Sequence, residues 1–136
     1  MKQIKTKIFL VLTLSSLNVF AADDILRIFT EKEKQTHPSF TSFSVAQGEK
    51  IFRTERVNSK GEKVSCMTCH TSNPKAEGLT RANKVVEPLA PSVNKERFTD
   101  IAKVEKWFKR NCKDVLDREC TNTEKGHFTA WILSVK

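Results

Sequence analysis

The chain has 136 residues, of which 24 are Lys or Arg and 16 are Asp or Glu, so its formal net charge is +8. This length fits one small domain. The basic residues are scattered among acidic ones without a Lys/Arg block, so we interpret the charge as a solvated surface suited to an acidic partner and expect no nucleic-acid binding.

The N-terminal segment has the pattern of a secretory signal peptide. Three lysines precede an apolar run over residues 8–17, and a small-residue junction follows at Ala21 and Ala22. A membrane anchor is the alternative, but the apolar run is too short to span a bilayer. We therefore predict a signal peptide over residues 1–21, a location in a bacterial periplasm, and no stable membrane insertion after cleavage.

Two helices are predicted before the first chemical motif. Residues 23–36 combine apolar side chains with a charged run that ends near a proline, so residues 22–43 are predicted to be an N-terminal helical extension. The main domain, residues 44–136, begins at Ser44 with a capping-box pattern. Gly48 lies on the apolar face of that second helix. Because glycine weakens a helix, its presence there indicates close approach of another element.

The most informative motif runs from Cys66 through Cys69 to His70 in the order Cys-x-x-Cys-His. This order is the attachment signature of a c-type haem, with two thioether bonds and the histidine as an axial iron ligand. A redox dithiol is one alternative, but such motifs usually accompany strands and none is evident here. A zinc site is the other, and it would need a second suitably spaced ligand pair. We predict one covalently attached haem c.

The segment after this motif, residues 72–97, holds three of the four prolines and is predicted to be a loop around the haem edge. A helix then opens at Thr99. One face of this helix carries four residues at the spacing i, i+3, i+4, i+7, namely Val104, Trp107, Phe108 and Asn111. The first three are apolar and the last is polar, and we predict that this stripe lines the haem pocket. The last helix is predicted to start at Thr121 with a second capping box.

The remaining cysteines, Cys112 and Cys120, enclose a short charged loop. In an oxidising compartment two leftover cysteines usually pair, although two free thiols are the alternative. Closing this loop would remove roughly 2 to 3 kcal/mol of unfolded-chain entropy. The bridge would also fix the direction in which Asn111 points.

The second axial iron ligand is not expected to be a methionine. Met67 is held between the two cysteines of the motif, and Met1 belongs to the signal peptide. Asn111 is a candidate, because a buried amide at the end of an apolar stripe needs a partner. An equally good interpretation from spacing alone is that it caps its helix. The weaker rivals are His127, His37, Asn94 and a deprotonated lysine.

The sequence resembles known families at this point. GEKIF from Gly48, CMTCH from Cys66 and the Trp131–Ile132 pair are similar to class I cytochromes c, in which the first and last core helices cross near such residues. EPLAPS, RFTD, VEKWFKRNC and REC resemble the SHP-type cytochromes c, over roughly residues 44–135. The resemblance implies an all-α class I cytochrome c fold with an extra N-terminal helix, wrapped around one haem.

The same resemblance implies that Asn111 is the sixth iron ligand and that Cys112 is bonded to Cys120. Asparagine-ligated members of the family release that residue on reduction and bind oxygen or nitric oxide. The chain departs from the family pattern at Asn83 and Asp117, where glycine is expected. Both residue types tolerate positive φ, so the turns are expected to survive. A third departure places a histidine, His127, where an acidic or neutral residue is expected.

The leading hypothesis is therefore a periplasmic monohaem electron-transfer cytochrome whose labile Asn111 ligand opens on reduction for oxygen or nitric oxide. A simple electron carrier without physiological gas binding is one alternative. A small haem oxygen, peroxide or nitric oxide reductase is another, but it would need a distal acid or base that only His127 could supply. The expected redox partner is a multihaem cytochrome c or a membrane cytochrome b.

Overall fold

A computed structural model describes residues 21–136, so the predicted signal peptide lies outside the described residues except for its last position. Within that range the chain forms five helices and four two-residue strands. In chain order these are α1 (Ala22–Thr36), α2 (Val45–Arg53), β1 (Arg56–Val57), β2 (Lys63–Val64), α3 (Met67–His70), β3 (Gly78–Leu79), β4 (Val85–Val86), α4 (Ile101–Leu116) and α5 (Asn122–Ser134).

The fold is helical, as predicted, but the expectation that it lacks strands was wrong in detail. Strand β1 pairs antiparallel with β2, and β3 pairs antiparallel with β4. The second pair lies inside the segment predicted to be an irregular loop. Strands of two residues are too short to produce an alternating apolar pattern, which is why the sequence did not reveal them.

Helices α2 and α5 cross at Gly48, as the resemblance to class I cytochromes c implied. A Cβ atom at this position would overlap the backbone carbonyl of His127 and lie 2.6 Å from the Cβ of Trp131. Only glycine therefore permits the two helices to approach so closely. Next to the crossing, the fully buried Phe52 packs on Trp131 with their ring centroids 4.7 Å apart.

Helix α1 is anchored to α5 by buried side chains and by hydrogen bonds. Ile25 and Phe29 have no exposed surface, and the carboxylate of Glu33 is also buried. That carboxylate accepts hydrogen bonds from Asn122 Nδ2 at 2.6 Å and from Thr123 Oγ1 at 2.7 Å. Asn122 Nδ2 also donates to the Phe29 carbonyl at 3.0 Å. The N-terminal helix is therefore part of the packed fold.

Helix α4 differs from its prediction at both ends. Its N-cap is Asp100, one residue after the predicted opening at Thr99, and its helical residues run from Ile101 to Leu116 through half of the predicted loop. It ends at Asp117, whose φ of 55° lies in the left-handed region. Asn83 has a φ of 56°. Both positions therefore adopt the positive φ that was expected of them.

Candidate functional site

A cavity of about 770 Å³ lies among α3, α4 and the loop that joins them. Its volume falls in the range of small-molecule and cofactor sites. Two groups of lining residues matter here. The motif wall consists of Cys66, Cys69 and His70, and the helix wall consists of four residues of α4: Val104, Trp107, Phe108 and Asn111.

The motif wall is positioned by a single helical turn and by the strand that packs on it. Helix α3 spans only Met67–His70. A Cβ atom at Gly78, on β3, would overlap the carbonyl oxygen of Cys69 and lie 3.1 Å from the Cα of His70. The backbone of β3 thus packs directly on the backbone of α3. This role of Gly78 was not predicted, because nothing in the neighbouring sequence distinguishes a loop glycine that contacts another backbone closely.

The pKa values of His70 and Cys66 help to distinguish a metal-binding site from a redox-active dithiol. Burial, with help from the positive charge of Arg97, lowers the pKa of His70 to about 4, so its imidazole is neutral at pH 7 and able to bind a metal. Burial raises the pKa of Cys66 to about 11. A redox-active dithiol needs a thiolate with a lowered pKa, so the raised value argues against that alternative.

The zinc alternative is not supported either. Across residues 21–136, no three side chains of His, Cys, Asp or Glu are grouped as a metal ion would require. Cys112 and Cys120, the only other cysteines, are bonded to each other. The motif wall therefore lacks the further ligands that a tetrahedral zinc site needs.

The helix wall brings together the residues that the sequence placed on one stripe. All four members line the cavity, and Val104 is buried. Trp107 is 42% exposed, with the Arg110 guanidinium 5.0 Å from its ring centroid. Because α4 continues beyond Asn111 to Leu116, this asparagine does not cap the helix. The helix-cap interpretation is therefore wrong.

The predicted disulfide between Cys112 and Cys120 is present, with the two Cα atoms 5.6 Å apart. It directly follows Asn111 and closes the loop between α4 and α5. That loop is also tied to the β1–β2 turn, because Asp117 accepts hydrogen bonds from the backbone N–H and the hydroxyl of Ser59 at 2.7 and 2.8 Å. No local sequence pattern predicts this contact, because it joins residues far apart in the chain.

A second tie holds the same loop to the start of α5. Arg118 donates two hydrogen bonds to the carboxylate of Glu124, at 2.7 and 2.8 Å. These bonds hold the pKa of Glu124 at about 2, well below its ordinary value of 4.5. Glu124 also accepts from the backbone N–H of Thr121, which completes the predicted capping box.

The rival axial ligands lie in less suitable places. The Nδ1 atom of His127 accepts a hydrogen bond from the Ser44 N–H at 2.9 Å, and this histidine does not line the cavity. His37 pairs instead with a carboxylate on α1. Asn94 does line the cavity, but its Oδ1, the atom that would bind iron, already accepts a hydrogen bond from the Glu96 N–H at 3.2 Å.

The remainder of the lining fits a haem. Apolar side chains from several elements surround the cavity and could cover a porphyrin ring, while cationic side chains on the same lining could pair with its propionates. Acidic side chains, including Glu87 and Asp114, are interspersed with them. The apolar and cationic members include Ile51, Val64, Leu89, Phe98, Phe128, Arg81, Lys84, Arg97, Lys103 and Arg110.

Comparison with known proteins gives a consistent result. A family described as Domain of unknown function (DUF1924) matches residues 38–132. The cytochrome c-type protein SHP of Cereibacter sphaeroides is 43% identical over 86 residues, which cover 63% of this chain and 67% of that protein. Cytochrome c'' of Methylophilus methylotrophus is 34% identical over 118 residues, which cover 86% of this chain and 82% of that protein.

Solved structures of the same two proteins share the fold. Oxidised cytochrome c'' from Methylophilus methylotrophus matches with a TM-score of 0.75 and 34% identity, over 83% of this chain and 93% of that one. Oxidised SHP, described as an oxygen-binding cytochrome c, matches with a TM-score of 0.73 and 33% identity, over 84% and 96%. The architecture is thus the helical cytochrome c fold. Among residues 21–136, no helix has the length and apolarity needed to cross a bilayer.

Proposed function

Given that this chain belongs to the DUF1924 family and is a c-type cytochrome related to SHP and cytochrome c'', we propose that it is a monohaem electron-transfer protein with a labile sixth ligand, Asn111. In this proposal Cys66 and Cys69 hold one haem c covalently and His70 is the permanent axial ligand. Asn111 would be the labile iron ligand, released on reduction, and a diatomic gas, oxygen or nitric oxide, would then have room beside Phe108.

The observation that carries the proposal is the meeting of the motif wall and Asn111 at one cavity. Met67 is the only methionine among residues 21–136, and it lies within the motif, so thioether ligation from another element has no donor there. The description of SHP as an oxygen-binding cytochrome c supports a gas ligand here. Asn111 also lies on the same face of α4 as Val104 and Phe108, where it lines the cavity and is exposed.

The haem supplies an iron that carries one electron and accepts axial ligands. His70 contributes a neutral imidazole, whose strong donation suits a permanent ligand. Asn111 contributes a neutral amide oxygen, which is a weak and hard donor and therefore suits ferric iron better than ferrous iron. Once released, the amide nitrogen of Asn111 is able to donate a hydrogen bond to a gas molecule in the pocket.

The proposed location is the periplasm, and the proposed redox partner is a multihaem cytochrome c or a membrane cytochrome b. The Cys112–Cys120 disulfide supports an oxidising compartment, because such bonds are rare in the cytosol. The predicted signal peptide agrees with this location.

Substitution of Asn111 tests the proposal directly. Asn111→Ala and Asn111→Val should change the ferric protein from the six-coordinate form with the amide bound to a five-coordinate or water-ligated form, because each removes the amide oxygen proposed to bind iron. Absorption and electron paramagnetic resonance spectra of the purified ferric proteins provide the measurement. The matched control is Asn94→Ala, the other amide of the lining, which should leave both spectra unchanged.

Two results would contradict the proposal. One is an unchanged ferric spectrum in Asn111→Ala together with a changed spectrum in Asn94→Ala. The other is a wild-type ferrous protein that is six-coordinate and low spin and that carbon monoxide does not perturb at neutral pH. The second result would support a simple electron carrier in which the sixth ligand stays bound in both redox states.

A further inference from the structure

We propose that Phe29 of α1 is a specificity-determining residue, which limits the size of the ligand admitted beside Asn111 by holding Phe108 in place. The inference rests on the proposed function, because it concerns the ligand that replaces Asn111. It assigns a role to α1, which precedes the part of the chain matched by the family, residues 38–132.

The contact that carries the inference joins two aromatic rings. Phe29 has no exposed surface, and its ring centroid lies 6.0 Å from that of Phe108 with an interplanar angle of 75°. Phe108 lines the cavity and precedes Asn111 by three residues on α4, so the two side chains share one face of the helix. Phe108 is therefore one of the side chains that a larger ligand near Asn111 would press upon.

Phe108 is also held by a second ring. Phe128 of α5 packs edge-on against it, with the centroids 5.5 Å apart and the planes at 86°. Protein interiors are close-packed, so a ring held between two others moves only if a neighbour moves with it. Phe128 itself lines the cavity, which leaves Phe29 as the aromatic support of Phe108 that lies outside the lining.

Helix α1, which carries Phe29, is held in place by contacts with α4 and α5. Glu105 of α4 accepts from Lys32 of α1 at 2.8 Å and from Lys125 of α5 at 2.6 Å, so one carboxylate joins three helices. One turn beyond Phe29, Glu33 is buried and bonded to the first turn of α5. Displacing Phe29 would require these contacts to break, so its ring holds a fixed position behind Phe108.

The consequence is a difference between small and large ligands. A diatomic ligand needs little room beside Asn111, whereas an alkyl-bearing ligand needs the Phe108 ring to tilt. Phe29→Ala would remove the ring behind Phe108 and leave a space into which it can tilt. The variant should therefore gain affinity for large ligands while its affinity for carbon monoxide changes little.

The experiment compares two probe ligands on the full-length, haem-loaded ferrous protein. Equilibrium titrations followed by absorption give the affinities for carbon monoxide and for n-butyl isocyanide, and their ratio is the quantity of interest. In Phe29→Ala the affinity for n-butyl isocyanide relative to that for carbon monoxide should rise by roughly tenfold or more. This is the scale on which an apolar pocket discriminates ligands by size. Phe29→Leu should shift the ratio in the same direction by less.

Ile25→Ala is the matched control, because Ile25 lies one turn earlier on α1 and is equally buried. It should lower the thermal unfolding midpoint but leave the affinity ratio unchanged. An unchanged ratio in Phe29→Ala, or an equal shift in Ile25→Ala, would overturn the inference. If Phe29→Ala does not retain haem, an unchanged ratio in Phe29→Leu has the same meaning.

The outcome also separates this inference from the proposed function. If wild-type ferrous protein binds carbon monoxide and the ratio does not respond to Phe29, only the role of Phe29 is lost. If the wild-type protein binds neither probe, the proposed release of Asn111 is contradicted, and the size limit fails with it.

Discussion

The two walls of the cavity are built in different ways. The motif wall is contained in one turn of helix, and its three functional residues occur within five consecutive positions. The helix wall depends on contacts from distant parts of the chain, including Phe29 of α1 and Lys125 of α5. The part of the site proposed to hold the haem permanently is thus local, whereas the part proposed to change with redox state is set by tertiary packing.

The largest effect is expected from the motif wall. Replacing Cys66 and Cys69 together by Ser should abolish covalent haem retention, because both proposed thioether sulfurs are removed. Haem staining after denaturing electrophoresis, or extraction of haem into acidified solvent, measures the loss.

The pair Cys112→Ser and Cys120→Ser provides the control for that experiment. This variant should keep its haem through denaturation and lose roughly 2–3 kcal/mol of stability, as expected for a short closed loop. Haem that stays covalently attached without Cys66 and Cys69 would contradict the assignment of the motif wall.

A smaller effect is expected at the contact that supports the motif wall from behind. Gly78→Ala should lower the free energy of unfolding by about 1–3 kcal/mol, because the new Cβ meets the rigid backbone of Cys69 and His70. Denaturation by urea, followed by circular dichroism, measures the change. Gly61→Asn is the control, since nothing lies within 4 Å of that position and asparagine tolerates its positive φ of 78°. Equal losses in both variants would mean that β3 does not brace α3.

The smallest effect is expected from a charge pair on the loop that follows the helix wall. The hydrogen bonds from Arg118 hold the pKa of Glu124 at about 2 in the folded protein, below its ordinary value of 4.5. The unfolded chain therefore binds a proton more readily, and the stabilisation is complete above pH 4.5 and disappears as the pH falls toward 2. The pair is partly exposed, so its contribution should be no more than about 1 kcal/mol.

The measurement compares Glu124→Gln with the wild type by urea denaturation at pH 6 and at pH 3. At pH 6 the wild type should have a higher free energy of unfolding than Glu124→Gln, and this difference between the two proteins should be smaller at pH 3. Glu119→Gln is the control. Glu119 lies on the same loop, but its ion pair with Lys109 is longer, at 3.6 Å, and both side chains are exposed. A difference that grows at pH 3 would contradict the direction of the pKa change.

The contrast between the walls also explains what could be predicted from the sequence. The Cys-x-x-Cys-His motif and the capping box at Thr121 are signalled by spacing within a short stretch, and the disulfide by two leftover cysteines in an oxidising compartment. A glycine on an apolar face signalled a close approach at Gly48, and the family resemblance identified the last helix as the partner. The predicted loop between Cys112 and Cys120 placed the end of α4 too early, although Asp117 was already expected to adopt the positive φ at which the helix ends.

The contacts that support the site could not be predicted in this way. The packing of Phe29 on Phe108, the hydrogen bonds from Ser59 to Asp117 and the contact of Gly78 with α3 join residues that only the completed fold brings together. Periodicity identifies which face of a helix is apolar, but it does not identify the partner that covers that face.

Asp117 illustrates a consequence for protein engineering. A consensus design would install glycine after α4, because glycine adopts a left-handed backbone without strain. In this chain that exchange would release the turn at Ser59 from the end of the helix. Asp117→Gly would therefore relieve the backbone at one residue but remove the hydrogen bonds that join the β1–β2 turn to the end of α4. Stabilising substitutions near the site are better chosen by counting the segments that a side chain connects.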